Sequence, residues 1–247
     1  IEMMESVVNR VYALQYRLQR YWWKRRSKRS RIQGKCLVFH HINEISTDTL
    51  ESCQCNPGTF ERILVDFVAQ GYRFVSVDEA LSRMDARSGE KFAVVTFDDV
   101  PEDMFTNGYP ILKKLNIPFT VFVTVDFVGN PGFLSHGQLD VLNAEPLCTI
   151  GAHTLTHPRL RDCRQADVEI CGSKNRLEEM IGKPVEYFAY PYGRKSTVSR
   201  KNIRSAKAGG YKCAFSTIGA DLSDYTSRKR WFLPRVVVNQ IQRTDDR

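Results

Sequence analysis

The chain of 247 residues has a globular composition, with 42% hydrophobic and 26% charged residues. That length suits one large domain or two small ones, and no stretch reaches the ~20 uncharged apolar residues that a membrane-spanning helix needs. The net charge of +8 lies in the first 35 residues, which hold ten Lys/Arg and two Glu, whereas the other 26 Lys/Arg and 26 Asp/Glu cancel. The neutral body gives no indication of a strongly charged partner, so nucleic acid is not an expected one.

Residues 2–23 are predicted to form an amphipathic helix. Four aliphatic residues recur at helical spacings of three and four, namely Val7, Val11, Leu14 and Leu18. Three aromatic residues and the basic run KRRSKRSR follow them. A basic helix of this kind can lie on an anionic membrane surface or bind nucleic acid. The alternative is a helix packed on the body with a solvated charged end, so residues 1–31 have two open interpretations.

From residue 35 onward, short apolar stretches alternate with helical patterns. The predicted strands cover residues 35–40, 72–77, 92–97, 117–125, 147–153, 186–190, 212–216 and 233–238. The predicted helices cover residues 57–70, 78–85 (capped by Asp78), 104–115, 135–143, 165–181 and 195–208. Strands separated by helices indicate a parallel sheet, so we predict a barrel-like or doubly wound α/β fold. Both folds place their chemistry at the carboxyl ends of the strands.

Polar side chains stand at the carboxyl ends of several predicted strands. His40 and His41 end the first strand, Asp98 and Asp99 end the third, and His153 ends the fifth. The carboxyl ends of parallel strands meet at one edge of a sheet or one rim of a barrel. We therefore expect these groups to converge.

The pair His153 and His157 is a candidate metal site. On one helical turn, histidines four residues apart face the same way, as a shared metal requires. Two histidines and one carboxylate leave coordination positions open, which is typical of a catalytic zinc site. One adjacent aspartate would then hold the metal and the other would take a proton from a water beside it. The alternatives are a helix start capped by Thr154 and a helix cap formed by Asp99 near Pro101.

Three motifs in order resemble those of the polysaccharide deacetylase family, carbohydrate esterase family 4. TFDDV at 96–100 resembles the family's T-F-D-D-G, and HTLTH at 153–157 resembles its H-[ST]-x-x-H. FAYPYG at 188–193 resembles its [RF]-x-x-P-Y block. VFHHI at 38–42 resembles the start of the branch that deacetylates poly-N-acetylglucosamine. The resemblance covers about residues 35–238.

The resemblance implies a distorted (β/α) barrel of about seven to eight parallel strands with one divalent metal, usually zinc. It also implies hydrolysis of an N-acetyl, less often O-acetyl, group on an acetylated sugar, oligosaccharide or polysaccharide. Carried over to this sequence, Asp98 is the general base, and the metal ligands are Asp99, His153 and His157. The backbone N–H of Tyr192 is then a donor to the oxyanion, together with the metal.

Two positions depart from the family's pattern near the base. Val100 replaces a glycine, which is costly if the position needs a positive φ. Phe188 stands where many members have an arginine. We hypothesise that Arg235, on the last predicted strand, supplies the missing charge.

The family's C-terminal histidine, its usual general acid, has no counterpart after His157. The first strand end offers the only other candidates, and the resemblance favours His40 as the acid. We expect His41 to be a buried structural histidine.

We predict two parts, a basic amphipathic N-terminal helix at 1–34 and a deacetylase-like catalytic domain at 35–247. The alternative function is a catalytically weak or inactive glycan-binding barrel, for which Val100 and the missing histidine are the support. The seven cysteines include no Cys-x-x-Cys pair, so we expect them to be mostly reduced. No cleavable leader is visible in the sequence, and we expect a cytoplasmic or membrane-peripheral location.

Overall fold

A computed structural model of the protein describes residues 2–44 and 54–237, with side chains from residue 13 onward. The strands are β1 (Gln33–Phe39), β2 (His41–Ile42), β3 (Gln54–Cys55), β4 (Arg73–Phe74), β5 (Lys91–Asp98), β6 (Phe119–Val123), β7 (Cys148–Ala152), β8 (Tyr187–Ala189), β9 (Cys213–Phe215) and β10 (Val236–Val237). The α-helices are α1 (Glu2–Ser27), α2 (Pro57–Ala69), α3 (Val77–Asp85), α4 (Tyr109–Lys114), α5 (His136–Ala144), α6 (Ala166–Ile181), α7 (Arg200–Ala208) and α8 (Asp224–Ser227).

Seven parallel strands form a distorted (β/α) barrel, as predicted. Their order is β10-β1-β5-β6-β7-β8-β9, and β4 adds to β5. The ring is completed by Leu233, just before β10. Its N–H donates to the Ala214 carbonyl, and its carbonyl accepts from the Ser216 N–H, both at 2.8 Å. When both faces of a parallel strand are covered, nearly all of its residues are apolar. This explains why the sequence of β5 is a continuous apolar run.

Alternate residues of the strands belong to two apolar clusters. Phe92 and Val94 of β5 pack with Phe122 and Phe215 of other strands, inside the barrel. Val95 and Phe97 belong to the larger cluster that also contains buried residues of the surrounding helices. Because side chains alternate along a strand, Asp98 shares the inward face with Val94. The sheet therefore directs this carboxylate into the upper end of the barrel.

Most predicted elements are present, with differences at their ends. Ser76, not Asp78, caps α3, because its side chain accepts a hydrogen bond from a backbone N–H of the first turn. Helix α7 begins at Arg200, five residues later than predicted, because Ser199 forms a capping box there. Strand β1 begins at Gln33, so the predicted N-terminal segment runs two residues into the barrel. Val238, at the end of the last predicted strand, lies outside the described residues.

Helix α1 extends to Ser27 and packs on the outside of the barrel. Trp23 is buried in an edge-to-face contact with Tyr225, with ring centroids 6.0 Å apart. The Ser27 hydroxyl donates to the Ser223 hydroxyl at 3.0 Å. In the described parts of the chain, no helix has the length and apolar character needed to cross a membrane. The six cysteines within those parts are free, and Cys53 lies outside them.

Candidate metal centre and active site

Strand β5 ends in a γ-turn centred on Asp99. The Val100 N–H donates to the Asp98 carbonyl at 2.6 Å, and Asp99 has a φ of 60°. Val100 itself has a φ of 58°, the conformation in which a β-branched residue is strained. Its side chain is buried in the larger apolar cluster, between the sheet and the surrounding helices, and this burial offsets the cost of the backbone conformation. The turn aims Asp98 and Asp99 in different directions.

The HTLTH segment is an irregular turn, so the helical turn predicted for it is wrong. Thr154 and His157 have φ values of 71° and 62°. The Thr154 hydroxyl accepts from the His157 N–H at 3.0 Å. Glu169 of α6 accepts from the backbone N–H groups of Leu155 at 2.9 Å and Thr156 at 3.0 Å. Side-chain acceptors thus replace the helical hydrogen bonds of this segment.

One donor atom from each of Asp99, His153 and His157 lies within 4.8 Å of the others, a group that could hold a metal ion. Asp99 Oδ1 lies 3.5 Å from His153 Nε2 and 3.2 Å from His157 Nε2. Ligand atoms bound at 2.0–2.1 Å to one tetrahedral ion stand about 3.4 Å apart. The separations and the donor types therefore fit a divalent metal.

The imidazole of His153 is held in the state that a metal ligand needs. Its Nδ1 lies 2.7 Å from the Ala189 carbonyl, so this nitrogen donates and Nε2 presents its lone pair. Burial lowers the pKa of His153, against the opposing charges of Asp98 and Asp99. The neutral form is the one that binds metals.

Asp98 is buried and paired with the equally buried Arg235. The guanidinium Nη1 and Nη2 donate to the two carboxylate oxygens at 2.7 and 2.6 Å. Arg235 also donates from Nε to the Ser216 carbonyl at 3.0 Å, and it lies over the rings of Phe122 and Phe215. Burial by itself disfavours the carboxylate, but the charge and hydrogen bonds of Arg235, together with the charges of His153 and His40, outweigh it and hold the pKa of Asp98 well below its usual range.

The structure thus places Arg235 where the sequence hypothesis needs a positive charge. Phe188 has an unrelated role, since it is buried between the rings of Tyr190 and Tyr211 at centroid distances of 5.0 and 5.1 Å. An arginine immediately before β10 therefore contacts the carboxylate.

His41 is not the buried residue that the sequence led us to expect. Its side chain is 42% exposed, and its Nδ1 lies 2.8 Å from Asp103 Oδ2. Asp103 also accepts from the Ile42 N–H at 3.0 Å and from Asn43 Nδ2 at 2.8 Å. The hydrogen bond that the His41 ring donates to Asp103 raises the pKa of His41. His41 is therefore a structural residue of a surface ion pair.

His40 faces the two site carboxylates. Within residues 2–44 and 54–237, its buried Nδ1 has no hydrogen-bond partner. Burial lowers the pKa of His40, while the charges of Asp98 and Asp99 act in the opposite direction.

Tyr192 is the centre of a second γ-turn. The Gly193 N–H donates to the Pro191 carbonyl at 2.7 Å, and Tyr192 has a φ of 60°. Its ring is half-exposed and lies 4.9 Å from the His157 ring, at the mouth of the site. Among the described residues the Tyr192 N–H donates to no acceptor. Gly193 is required here, because a Cβ would lie 2.4 Å from the Thr217 nitrogen.

Two residues that support the site were missed by sequence reasoning. Thr124, just after β6, donates to the His153 carbonyl at 3.3 Å and approaches Asp99 Oδ1 at 3.5 Å. Its place at a strand end was a usable signal. Glu169 lies in the first turn of α6, where an acidic residue is common because it interacts favourably with the helix dipole, so its type gave no separate signal.

A barrel of parallel strands with an Asp–His–His group at its carboxyl rim is the architecture expected of a sugar deacetylase. The polysaccharide deacetylase family model matches residues 85–214, more than half of the chain. The chain therefore belongs to the polysaccharide deacetylase family.

Two curated relatives show how much of the chain is shared. A putative polysaccharide deacetylase of Bacillus subtilis, YxkH, is 27% identical over 151 residues, which are 60% of this chain and 53% of that protein. The poly-beta-1,6-N-acetyl-D-glucosamine N-deacetylase of Staphylococcus epidermidis is 26% identical over 191 residues, which are 69% of this chain and 63% of that protein. The chain thus spans less than two thirds of the length of either relative.

Solved structures share the fold. The Streptococcus pyogenes deacetylase PplD in complex with acetate has a TM-score of 0.72 at 23% identity, over 85% of this chain and 97% of that one. IcaB from Ammonifex degensii has a TM-score of 0.70 at 24% identity, over 83% of this chain and 91% of that one.

Proposed function

We propose that the protein hydrolyses N-acetyl or O-acetyl groups of a carbohydrate, with a divalent metal held by Asp99, His153 and His157. The observation that carries this proposal is the ionised Asp98 next to that group, with its Oδ2 at 3.9 Å from His153 Nε2. Two imidazoles and one carboxylate leave coordination positions open, and this donor set suits zinc. When bound, such an ion polarises the acetyl carbonyl and makes a neighbouring water more acidic.

Asp98 is the group that takes the proton of the attacking water. Arg235 keeps it ionised and fixes its orientation from the inward side of the barrel. A carboxylate with a lowered pKa is a weak base. It therefore depends on a water made more acidic by the positive charge at the site.

Two further groups act on the two halves of the amide. The Tyr192 N–H donates to the acetyl oxygen as negative charge develops there, which is worth roughly 3 kcal/mol of barrier for a well-placed donor. His40 in its protonated form donates a proton to the leaving nitrogen as the C–N bond breaks, while Asp98 keeps the proton taken from the water. The water oxygen becomes part of acetate, and the sugar leaves with a free amine.

The substrate class that we propose is an N-acetylated hexosamine oligomer or polymer. This is supported by the likeness to the Staphylococcus epidermidis deacetylase and by the VFHHI segment at 38–42.

The test is acetate release from monomeric, lipid-linked and polymeric acetylated sugars, with and without added zinc. Asp98→Asn should lower kcat by at least about 10²-fold while the metal content stays the same. His40→Asn should do the same, whereas His41→Asn, the matched control next to it, should retain activity. A loss under threefold in His40→Asn would remove His40 as the acid. A metal-loaded protein that releases no acetate from the whole panel would favour the glycan-binding alternative.

A further inference from the structure

The outer face of α1 carries large apolar side chains that are at least half exposed. Four large residues, each within one helical turn of the next, form this face, which we call the outer stripe. They are Leu14, Leu18, Tyr21 and Trp22, with 58%, 50%, 55% and 50% exposure. A helix packed on a domain normally needs one apolar face. α1 has a second one, directed away from the barrel.

The first apolar face of α1 is already used. Trp23 is buried against Tyr225, and Arg26 lies over the same ring at 4.7 Å. About two helical turns towards the N-terminus, the Tyr16 hydroxyl donates to the Thr217 carbonyl at 3.4 Å. These contacts fix the rotation of the helix, so the outer stripe cannot turn inward without breaking them.

Basic residues lie beside the outer stripe. Arg25 donates to the Tyr21 hydroxyl at 3.4 Å, and its guanidinium is 5.8 Å from the centre of the Trp22 ring. Both aromatic rings and the neighbouring Lys and Arg side chains border one surface recess. The exposed basic residues of this region are Arg17, Lys24, Arg25, Arg26, Lys28, Arg29 and Arg31.

We propose that the outer stripe docks on an anionic lipid surface. Tyr and Trp rings prefer the interface between headgroups and acyl chains, and long Lys and Arg stems reach anionic headgroups from an apolar face. The charge distribution of the chain favours this occupant, because the excess of eight positive charges lies in the first 35 residues and the rest is neutral. A second copy of the chain would bring the same positive charges together, and nucleic acid offers no apolar layer for Leu14 and Leu18.

Docking through α1 also places the rim of the barrel near the lipid. Thr217, which accepts from Tyr16, donates from its hydroxyl to the Tyr192 carbonyl at 2.6 Å. Two hydrogen bonds thus connect α1 to the turn at the mouth of the site. If the proposed function holds, its substrate is an acetylated saccharide close to a membrane surface, but lipid docking does not depend on that function.

The experiment is co-sedimentation of the whole protein with phosphatidylcholine vesicles, with and without phosphatidylglycerol. We expect binding only to the vesicles that contain phosphatidylglycerol, weakened by added salt. The double variant L14S/W22S should lose at least about tenfold in vesicle affinity. The matched control is V65S/V68S, which removes exposed apolar residues of α2 and should bind like the unaltered protein.

A charge variant tests whether the basic residues beside the outer stripe bind anionic headgroups. R25E/R29E should abolish the preference for phosphatidylglycerol, whereas R62E/R204E, with the same change in net charge on α2 and α7, should keep it. Acetate release from a soluble oligosaccharide should be unchanged in all four variants, so a failure of docking is distinct from a failure of catalysis. Equal vesicle binding by L14S/W22S and its control would overturn the proposal. So would lipid-free dimers that L14S/W22S abolishes, because the outer stripe would then be a self-association surface.

Discussion

Two ion pairs at the same rim of the barrel differ mainly in their access to solvent. Asp98 pairs with Arg235 at 2.6 Å, and the two side chains are 2% and 0% exposed. Asp103, five residues further along the chain, pairs with His41 at 2.8 Å, with 21% and 42% exposure. The distances are nearly equal, but the surroundings are not.

This difference decides what each pair can do. Water screens the exposed pair, so it contributes little to stability and can hold only the local backbone of β2. The buried pair has lost its hydration, and removal of one partner leaves a charge with no compensation. Such a pair fixes a carboxylate in one ionisation state and one orientation, which is what a reacting group needs.

The largest expected effect is on the buried pair. Arg235→Ala should lower the free energy of unfolding by about 3–5 kcal/mol, because Asp98 stays buried without its partner. The double variant D98N/R235A should recover part of this loss, since the uncompensated charge is gone. Urea unfolding of the two variants measures both. A loss under about 1 kcal/mol, or an unchanged kcat/KM in Arg235→Ala, would contradict the distinction between the two pairs.

The next effect concerns Glu169, a rim carboxylate that contacts no charged group in the described chain. Glu169→Gln replaces one acceptor oxygen by a donor beside the HTLTH backbone N–H groups. We expect about a tenfold loss of metal affinity, because the turn no longer holds its two histidines as tightly. The control is Glu178→Gln on the same helix, whose carboxylate accepts the Val185 N–H at 2.9 Å. Zinc titration with equal dissociation constants for both variants would refute a positioning role.

A smaller effect is expected in the turn that separates the two aspartates. At ordinary positions alanine is more favourable than glycine by roughly 0.5–1 kcal/mol. At Val100, where φ is 58°, Val100→Gly should be more stable than Val100→Ala by about 1 kcal/mol. Both variants lose the two buried methyl groups of valine and differ only in Cβ, so thermal unfolding mainly compares their backbones. If Val100→Ala proved more stable than Val100→Gly, the turn would not need a residue in the left-handed conformation.

The smallest effect belongs to the exposed pair. The pKa of His41 is raised, so the contribution of this ion pair to the free energy of unfolding depends on pH. It is complete below about pH 6.5, the ordinary pKa of histidine, and it disappears as the pH rises through the raised pKa. The pKa of Asp103 is lowered: burial opposes ionisation, but the His41 hydrogen bond and other contacts outweigh it. The contribution is therefore also lost in acid, below about pH 4.

The measurement is the unfolding free energy of the unaltered protein and of His41→Asn at pH 5, 7 and 9, with His136→Asn on α5 as the control. The difference for His41→Asn should stay under about 1 kcal/mol and be greatest at pH 5. A difference that grows toward pH 9 would contradict the expected direction of the pH dependence.

The alternation of strands and helices was enough to predict a parallel α/β fold, because a parallel βα pattern has few solutions. It left a barrel and a doubly wound sheet open, and the resemblance to the deacetylase family decided for the barrel. The same reasoning predicted that Asp98, Asp99 and His153 meet at one rim. It could not predict the backbone of HTLTH, since a spacing of four fits a helical turn and the left-handed residues found there carry no glycine signature. Nor could it find Glu169, or the exposure of His41, because both depend on contacts between segments distant in sequence. The roles of the site residues stay predictions until the variants are measured.

The closure of the barrel by the segment around Leu233 has a consequence for biosynthesis. Arg235 is 137 residues further along the chain than the carboxylate it neutralises. At 5–20 residues per second, a ribosome needs roughly 7–30 s to make that interval. During this time β5 and its neighbours have no partner for Asp98, so a nascent chain that buries this strand early buries an uncompensated charge. The buried ion pair therefore cannot form until the segment around Leu233 has been made, and we expect complete folding of the barrel only after that point.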